Sequence, residues 1–305
     1  MVQISRVSLS IESIVSDLRR MGINAGDTLF LRADIGSVGR ISKSEAQTYH
    51  PFLEALLETV GPEGTIVSLA YTPSYFLRAP RDKAFDRHTK STAGALPNMM
   101  LSHSDHFRSG HPTNSVVAIG RNAEFLTEGL GPNSPAYEPI RRIVELDAKM
   151  LLVGIAESSP GFTTAHLAEY DLGLHRRVIF PQLLRTYYRG ENNSIHLFKR
   201  NDAGLCSFSF AKFYSEYIKN GLLVTGNVGS SYSIMLGARA AYDLERSILK
   251  DQPRFNICGH SYCVTCNARR WDQLHRLPWF FLKVFFRVIL AKDKVKAVRE
   301  LRKDR

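Results

Sequence analysis

No stretch of the 305 residues approaches the roughly 20 apolar residues that a membrane-spanning helix needs. The opening MVQISRVSLSIESIVSDLRR carries no apolar run of signal-peptide type, so a cytoplasmic protein is the expectation. Internal repeats and low-complexity linkers are also missing, which excludes a repeat array. Cysteine is scarce, with four in the whole chain, and a disulfide framework does not fit a chain read as lacking a secretory segment. Excess charge is nearly absent from the body. Residues 267–305 carry 12 Lys/Arg against 4 Asp/Glu and the other 266 carry 28 against 25, so the net +11 divides into +8 and +3. A basic surface spread over the body is thereby excluded, and any argument from charge concerns the tail. The tail has no aromatic residues interleaved on a recognisable nucleic-acid module, so no nucleic-acid partner is expected.

What is present is a chain with 44% apolar and 23% charged residues, the balance of a soluble globular protein. Its length allows one large domain or two ordinary ones. Helix-like and strand-like stretches alternate. Helical spacing occurs over 10–22, 45–61, 121–130, 209–221 and 232–251, and strands are expected over 26–34, 64–71, 114–120 and 149–156. This order predicts an α/β domain with a central sheet flanked by helices. The character of the sequence changes near residue 257, where cysteines, aromatics and basic residues concentrate. The reading is therefore one domain over 1–257 and a Cys-rich, aromatic, basic extension over 258–305.

The segment KMLLVGIAESSPGFTTAHLAEY runs from a buried strand through a loop into a helix start. In open α/β sheets, sites form beyond the carboxyl ends of the strands. His166 and Glu169 are three residues apart and share one face of a helix. A glutamate there can hold the imidazole in one tautomer and support its protonated form, as a general base requires. Thr163 stands where it could cap the helix. The alternative is an ordinary capped helix carrying a surface histidine.

Four segments in fixed order shift that balance: FDRHTKSTAGALP (85–97), RSGHPTNSVVAIG (108–120), PNSPAYE (132–138) and LLVGIAESSPGFTTAHLAEY (151–170). Together they resemble the aminoglycoside 3-N-acetyltransferase family, and the resemblance covers roughly residues 8–257. It implies acyl transfer from acyl-CoA (acetyl-CoA or a longer thioester) to a primary amine, with His166 as base, Glu169 orienting it and Thr163 in the catalytic segment. A protonated amine is a poor nucleophile at neutral pH, so a positioned base is needed. The developing oxyanion needs donors, for which amides near Gly36 to Gly39 and the hydroxyls of Ser91 and Ser115 are candidates. The resemblance places Ser37, Val38, Gly39, Ser91, Arg108, Ser109 and Ser115 at the coenzyme, where an arginine and short hydroxyls suit phosphate oxygens. Arg108 could instead form a surface salt bridge. The chain departs from the family at RADIGSVG (32–39), where Arg32, Ala33 and Asp34 replace a His-Ser-Ser-like turn.

HSDHFRSGH (103–111) offers three histidines and an aspartate without the spacing of a familiar metal site. Cys258, Cys263 and Cys266 have the spacing C-x4-C-x2-C and suggest a structural zinc, whose fourth ligand would be His275, His260 or the distant Cys206, with His275 preferred. Plain reduced cysteines are the alternative. Residues 277–291 form an apolar run interrupted by Lys283 and Arg287 and followed by a basic end. The run suits a helix lying at a membrane surface, or one packed on the body or on another subunit of a homo-oligomer.

A near-neutral body, an altered turn and a basic tail do not suit a polycationic acceptor. The expected function is therefore N-acylation of an amino sugar carried on a nucleotide, in surface polysaccharide biosynthesis. Two alternatives stand beside it: an aminoglycoside 3-N-acetyltransferase of antibiotic resistance, and a non-catalytic zinc-containing binding protein. The last would have His166 and Glu169 far apart, or buried with no cleft.

Overall fold

The computed structural model describes residues 9–42, 48–158, 161–174, 183–200, 206–260, 262–263, 266–267 and 277–290. Its helices are α1 (Ile11–Arg20), α2 (Ile35–Val38), α3 (Pro51–Val60), α4 (Ala95–Leu101), α5 (Ala123–Thr127), α6 (Glu138–Glu145), α7 (Thr164–Asp171), α8 (Lys212–Lys219) and α9 (Ala238–Asp251), followed by a C-terminal helix, Leu277–Leu290. Its strands are β1 (Thr28–Ala33), β2 (Thr65–Leu69), β3 (Tyr75–Phe76), β4 (Phe107–Arg108), β5 (Val116–Gly120), β6 (Lys149–Val153), β7 (Leu184–Arg189), β8 (Ile195–Lys199), β9 (Val224–Val228) and β10 (Ser231–Gly237).

Seven strands form the central sheet in the order β4-β5-β2-β1-β6-β10-β9, and β3-β7-β8 form a smaller sheet. β1 runs parallel to both β2 and β6, while the outer pairs are antiparallel. Successive side chains of a strand point to opposite faces, and the apolar runs of β1 and β6 use both. Phe30, Met150 and Leu152 enter one core with α5 to α9, whereas Leu29, Leu31, Leu151 and Val153 enter the other with α1, α3 and α4. The expected helix-flanked α/β sheet is what forms.

One expected element is corrected. The 232–251 stretch is not a single helix. Residues 231–237 form β10, paired with β6 so that Ile234 faces Leu152, and the helix begins only at Ala238. A short apolar run such as SIMLG satisfies either period, and the hairpin with β9 decided in favour of a strand.

Candidate active site

The carboxyl ends of β1 and β6 converge with the start of α7. After Val153 the chain turns at Gly154, whose φ is +66°, and a Cβ there would lie 1.9 Å from the Ser37 Oγ of α2. Only glycine permits that approach at that backbone angle. Gly161, with φ +101°, is equally tight, since a Cβ would fall 2.1 Å from the Cβ of Phe210. Arg32, on β1, donates from Nη1 to the Gly161 carbonyl at 3.4 Å, tying the strand end to the loop that leads into α7. Burial pushes the Arg32 guanidinium pKa down, opposed by nearby Tyr71 and Tyr214.

His166 and Glu169 lie together on α7, with Nδ1 of the imidazole 3.0 Å from Glu169 Oε2. The Glu169 side chain is fully buried, whereas 14% of the His166 side chain remains open. The other carboxylate oxygen, Oε1, accepts a hydrogen bond from Asn256 Nδ2 at 2.5 Å. The ring of His166 stacks on Tyr137 at 5.5 Å and meets Phe210 edge-on at 4.6 Å. Two aromatic walls and one carboxylate thus fix the imidazole plane. With Nδ1 turned to Glu169, Nε2 has no hydrogen-bond partner among the described residues. A base needs this arrangement: one nitrogen held by an anion and the other free to take a proton.

Thr163 occupies the N-cap position of α7, but its side chain makes no capping bond, which corrects the expected cap. The helix start is held instead by Thr164, whose hydroxyl donates to Glu245 Oε1 at 3.1 Å. Glu245 lies on α9, fully buried, and also accepts from the Tyr217 hydroxyl. Burial pushes its carboxyl up to about 8 from an ordinary 4.5, against the opposing hydrogen bonds and with Glu169 adding to the rise. A raised acid is held protonated in the fold. Its contribution to stability is therefore complete below about 4.5 and is lost as pH climbs through about 8. Glu245→Gln mimics the protonated form and is expected to raise the Tm at pH 9 while changing it little at pH 5. A Tm at pH 9 no higher than that of the unaltered protein would refute this.

The residues expected at the coenzyme divide into two groups. Arg108 is buried, and its guanidinium is engaged within the fold. Nε donates to Ser115 Oγ at 3.2 Å, Nη1 to the carbonyls of Arg87, at 3.2 Å, and Thr89, and Nη2 to the Ala70 carbonyl at 2.9 Å. It also lies 5.0 Å over the Phe85 ring, and burial pushes it down to about 10. Ser109 Oγ accepts from the Val116 amide at 3.0 Å, and Ser115 Oγ donates to the Ala70 carbonyl at 2.7 Å, both side chains being buried. Within the fold, Arg108, Ser109 and Ser115 fasten the 87–89 loop to the ends of β2 and β5. Ser91 closes a turn, donating to the Tyr71 carbonyl at 3.2 Å. The second group stays at the strand ends. Ser37 Oγ lies 2.6 Å from Ser231 Oγ, Gly39 is exposed, and Val38 buries its side chain, leaving only its backbone for contact. Asp34 already occupies the amides of Gly36 and Ser37, which removes those two as oxyanion donors.

His103 stacks on Tyr49 and His111 Nδ1 accepts from the Asn114 amide at 3.0 Å, so the 103–111 histidines serve local structure. Among the described residues, the group placed to hold a metal is Cys206, Cys258, Cys263 and Cys266. Of the candidates for a fourth ligand, Cys206 lies beside the other three cysteines, and His275 lies outside the described residues. The sequence reading missed Tyr137, Phe210 and Asn256 around the pair. Tyr137 lay within the PNSPAYE segment, but nothing local marked Asn256.

Residues 30–250 match the family model described as aminoglycoside 3-N-acetyltransferase. Aminoglycoside N(3)-acetyltransferase III of Salmonella sp is 32% identical over 175 residues, covering 52% of this chain and 59% of that protein. The chain thus spans less than two thirds of that relative's length. The crystal structure of aminoglycoside acetyltransferase AAC(3)-IVa, an apoenzyme, shares the fold with a TM-score of 0.71 at 21% identity, over 88% of this chain and 99% of that one. AAC-IIIb, solved as a binary complex with CoASH, gives 0.64 at 23% identity, over 80% and 97%. The ordered segments from 85 to 170 fall within the matched region, and the chain belongs to the aminoglycoside 3-N-acetyltransferase family.

Proposed function

We propose that this chain is an acyl-CoA-dependent N-acyltransferase whose acceptor is a primary amine of an aminoglycoside-type amino sugar. The observation that carries the reading is the His166–Glu169 pair, joined at 3.0 Å with Nε2 unpartnered, at the carboxyl ends of the parallel strands. The non-catalytic alternative would hold the two residues far apart, whereas here they touch and 14% of the His166 side chain stays open. Nε2 takes a proton from the amine, whose nitrogen attacks the thioester carbonyl. The carbon–sulfur bond then breaks, and the proton passes to the departing CoA thiolate, leaving an amide and free CoA. The Ser37–Ser231 hydroxyls and exposed Gly39 suit the polar pantetheine arm of CoA. A structural neighbour binds CoA, and the curated relatives act on aminoglycosides by name, which supports both substrates. A nucleotide-linked acceptor and a role in surface polysaccharide find no support among these relatives. The test is release of CoA thiol from acetyl-CoA and longer acyl-CoAs, with an aminoglycoside and a nucleotide-linked amino sugar compared. Turnover confined to the nucleotide-linked sugar would overturn this acceptor.

We also propose contact with a membrane surface, and only along it, since no helix among the described residues is long and apolar enough to cross a bilayer. The helix Leu277–Leu290 leaves Trp279, Phe285, Phe286, Ile289 and Leu290 exposed rather than packed on the body. Lys283 and Arg287 sit on one side, 5.1 and 4.1 Å from the Tyr262 ring. Apolar residues beside a tail of net +8 suit an anionic lipid surface. The full chain is expected to cosediment with anionic vesicles and not with neutral ones. Concentration-dependent dimerisation without vesicle binding would assign the helix to a second copy of the chain instead.

A further inference from the structure

Cys206, Cys258, Cys263 and Cys266 come from two distant stretches of sequence, yet their Sγ atoms all lie within 4.8 Å of one another. All four are free thiols, and three are buried. They form a small knot with Ile257 and Phe208, separate from the two cores that flank the sheet. So few apolar groups bury too little surface to hold two loops together. The Cys258 amide donates to Cys266 Sγ at 3.3 Å, an arrangement that stabilises a metal-bound thiolate. A tetrahedral zinc with sulfur ligands at about 2.3 Å sets its sulfurs about 3.8 Å apart, which fits inside this group. Thiolates bound to different irons of a cluster stand farther apart. Four sulfurs also close the coordination sphere, as a structural site requires.

The knot adjoins the acid–base pair. Asn256, two residues before Cys258, is fully buried and holds Glu169 Oε1 at 2.5 Å. Ser209, three residues after Cys206, donates its hydroxyl to the Asn256 carbonyl. Phe210 follows and packs edge-on to His166 at 4.6 Å. Lys212 Nζ donates to the carbonyls of Phe255 and Ile257, at 3.2 and 2.8 Å. Both cysteine-bearing segments therefore end on the catalytic pair.

We propose that the four cysteines hold one zinc ion, and that this ion locks residues 206–212 against 254–258 so that Asn256 and Phe210 fix Glu169 and His166. Asn256 is then a positioning residue. The metal site stands apart from the acyl-transfer reading, and only its effect on turnover rests on that reading.

The test uses the full chain. Metal analysis should give one zinc per chain, with the four thiols closed to a thiol reagent until a chelator is added. Cobalt(II) in place of zinc should show sulfur-to-metal charge transfer and the visible bands of a tetrahedral site. Cys206→Ser should lose the metal. Should that variant not fold, thiol protection and the cobalt spectrum of the unaltered chain still decide the matter. Disulfides among these cysteines, iron in place of zinc, or less than half an equivalent of metal would overturn the site. Asn256→Ala should keep the zinc and lower kcat about tenfold with KM little changed, and zinc removal should lower kcat by a similar factor. Zinc removal should also shift the His166 imidazole signals in NMR. Unchanged kcat and unchanged imidazole signals would overturn the positioning role. If no acceptor turns over, the acyl-transfer reading fails, while zinc stoichiometry and the imidazole signals still decide this proposal.

Discussion

His166→Ala is expected to lower kcat for acyl transfer by about 10³-fold, with KM for acyl-CoA changed only a few-fold. The imidazole on α7 has one nitrogen held and the other free: Nδ1 faces Glu169 at 3.0 Å and Nε2 has no partner among the described residues. Alanine removes the proton acceptor and leaves the Tyr137 and Phe210 walls in place. Binding of the thioester should therefore survive while proton removal from the amine does not. Steady-state release of CoA thiol measures both constants. A loss smaller than tenfold would remove His166 from the base role and leave the pair as a structural contact.

Glu169→Gln is expected to be nearly as damaging, about 10³-fold in kcat, though it alters a single group and preserves volume. The reason is the proton inventory. Glu169 accepts at both oxygens, from Asn256 Nδ2 at 2.5 Å and beside His166 Nδ1 at 3.0 Å. A glutamine has one acceptor and one donor at those places. If its oxygen serves Asn256, its NH2 faces Nδ1, and the imidazole must carry its proton on Nε2. The nitrogen that should take the proton from the amine is then already protonated. The variant also lacks the negative charge that stabilises the imidazolium. Thermal unfolding should show a folded protein, and the activity loss should be in kcat. An activity within threefold of the unaltered chain would show that Glu169 only supports the helix.

The two halves of the site were legible to different degrees. The helix face shared by His166 and Glu169 follows from three-residue spacing, and the placement of that helix after a buried strand follows from KMLLVGIA. The coenzyme residues are less legible, because residue type does not reveal whether a side chain faces solvent or the fold. Arg108 looked like a phosphate ligand, yet the carbonyls of Ala70, Arg87 and Thr89 occupy its donors. Likewise a strand and a helix can share the run SYSIMLG until a partner strand selects one of them.

The sequence by itself determined the alternation of strands and helices, the family, the meeting of His166 and Glu169 on one helix face and the concentration of positive charge in the tail. These rest on local periodicity, on motif order and on composition, which need no knowledge of what lies across the fold. Only the tertiary structure decided that Cys206 joins three cysteines more than 50 residues away, that Asn256 holds the buried side of Glu169, and that Glu245 is buried beneath the start of α7, where loss of water raises its pKa. Each of those depends on contacts between distant segments and on the loss of water around a polar group. Both arise when the helices close over the sheet.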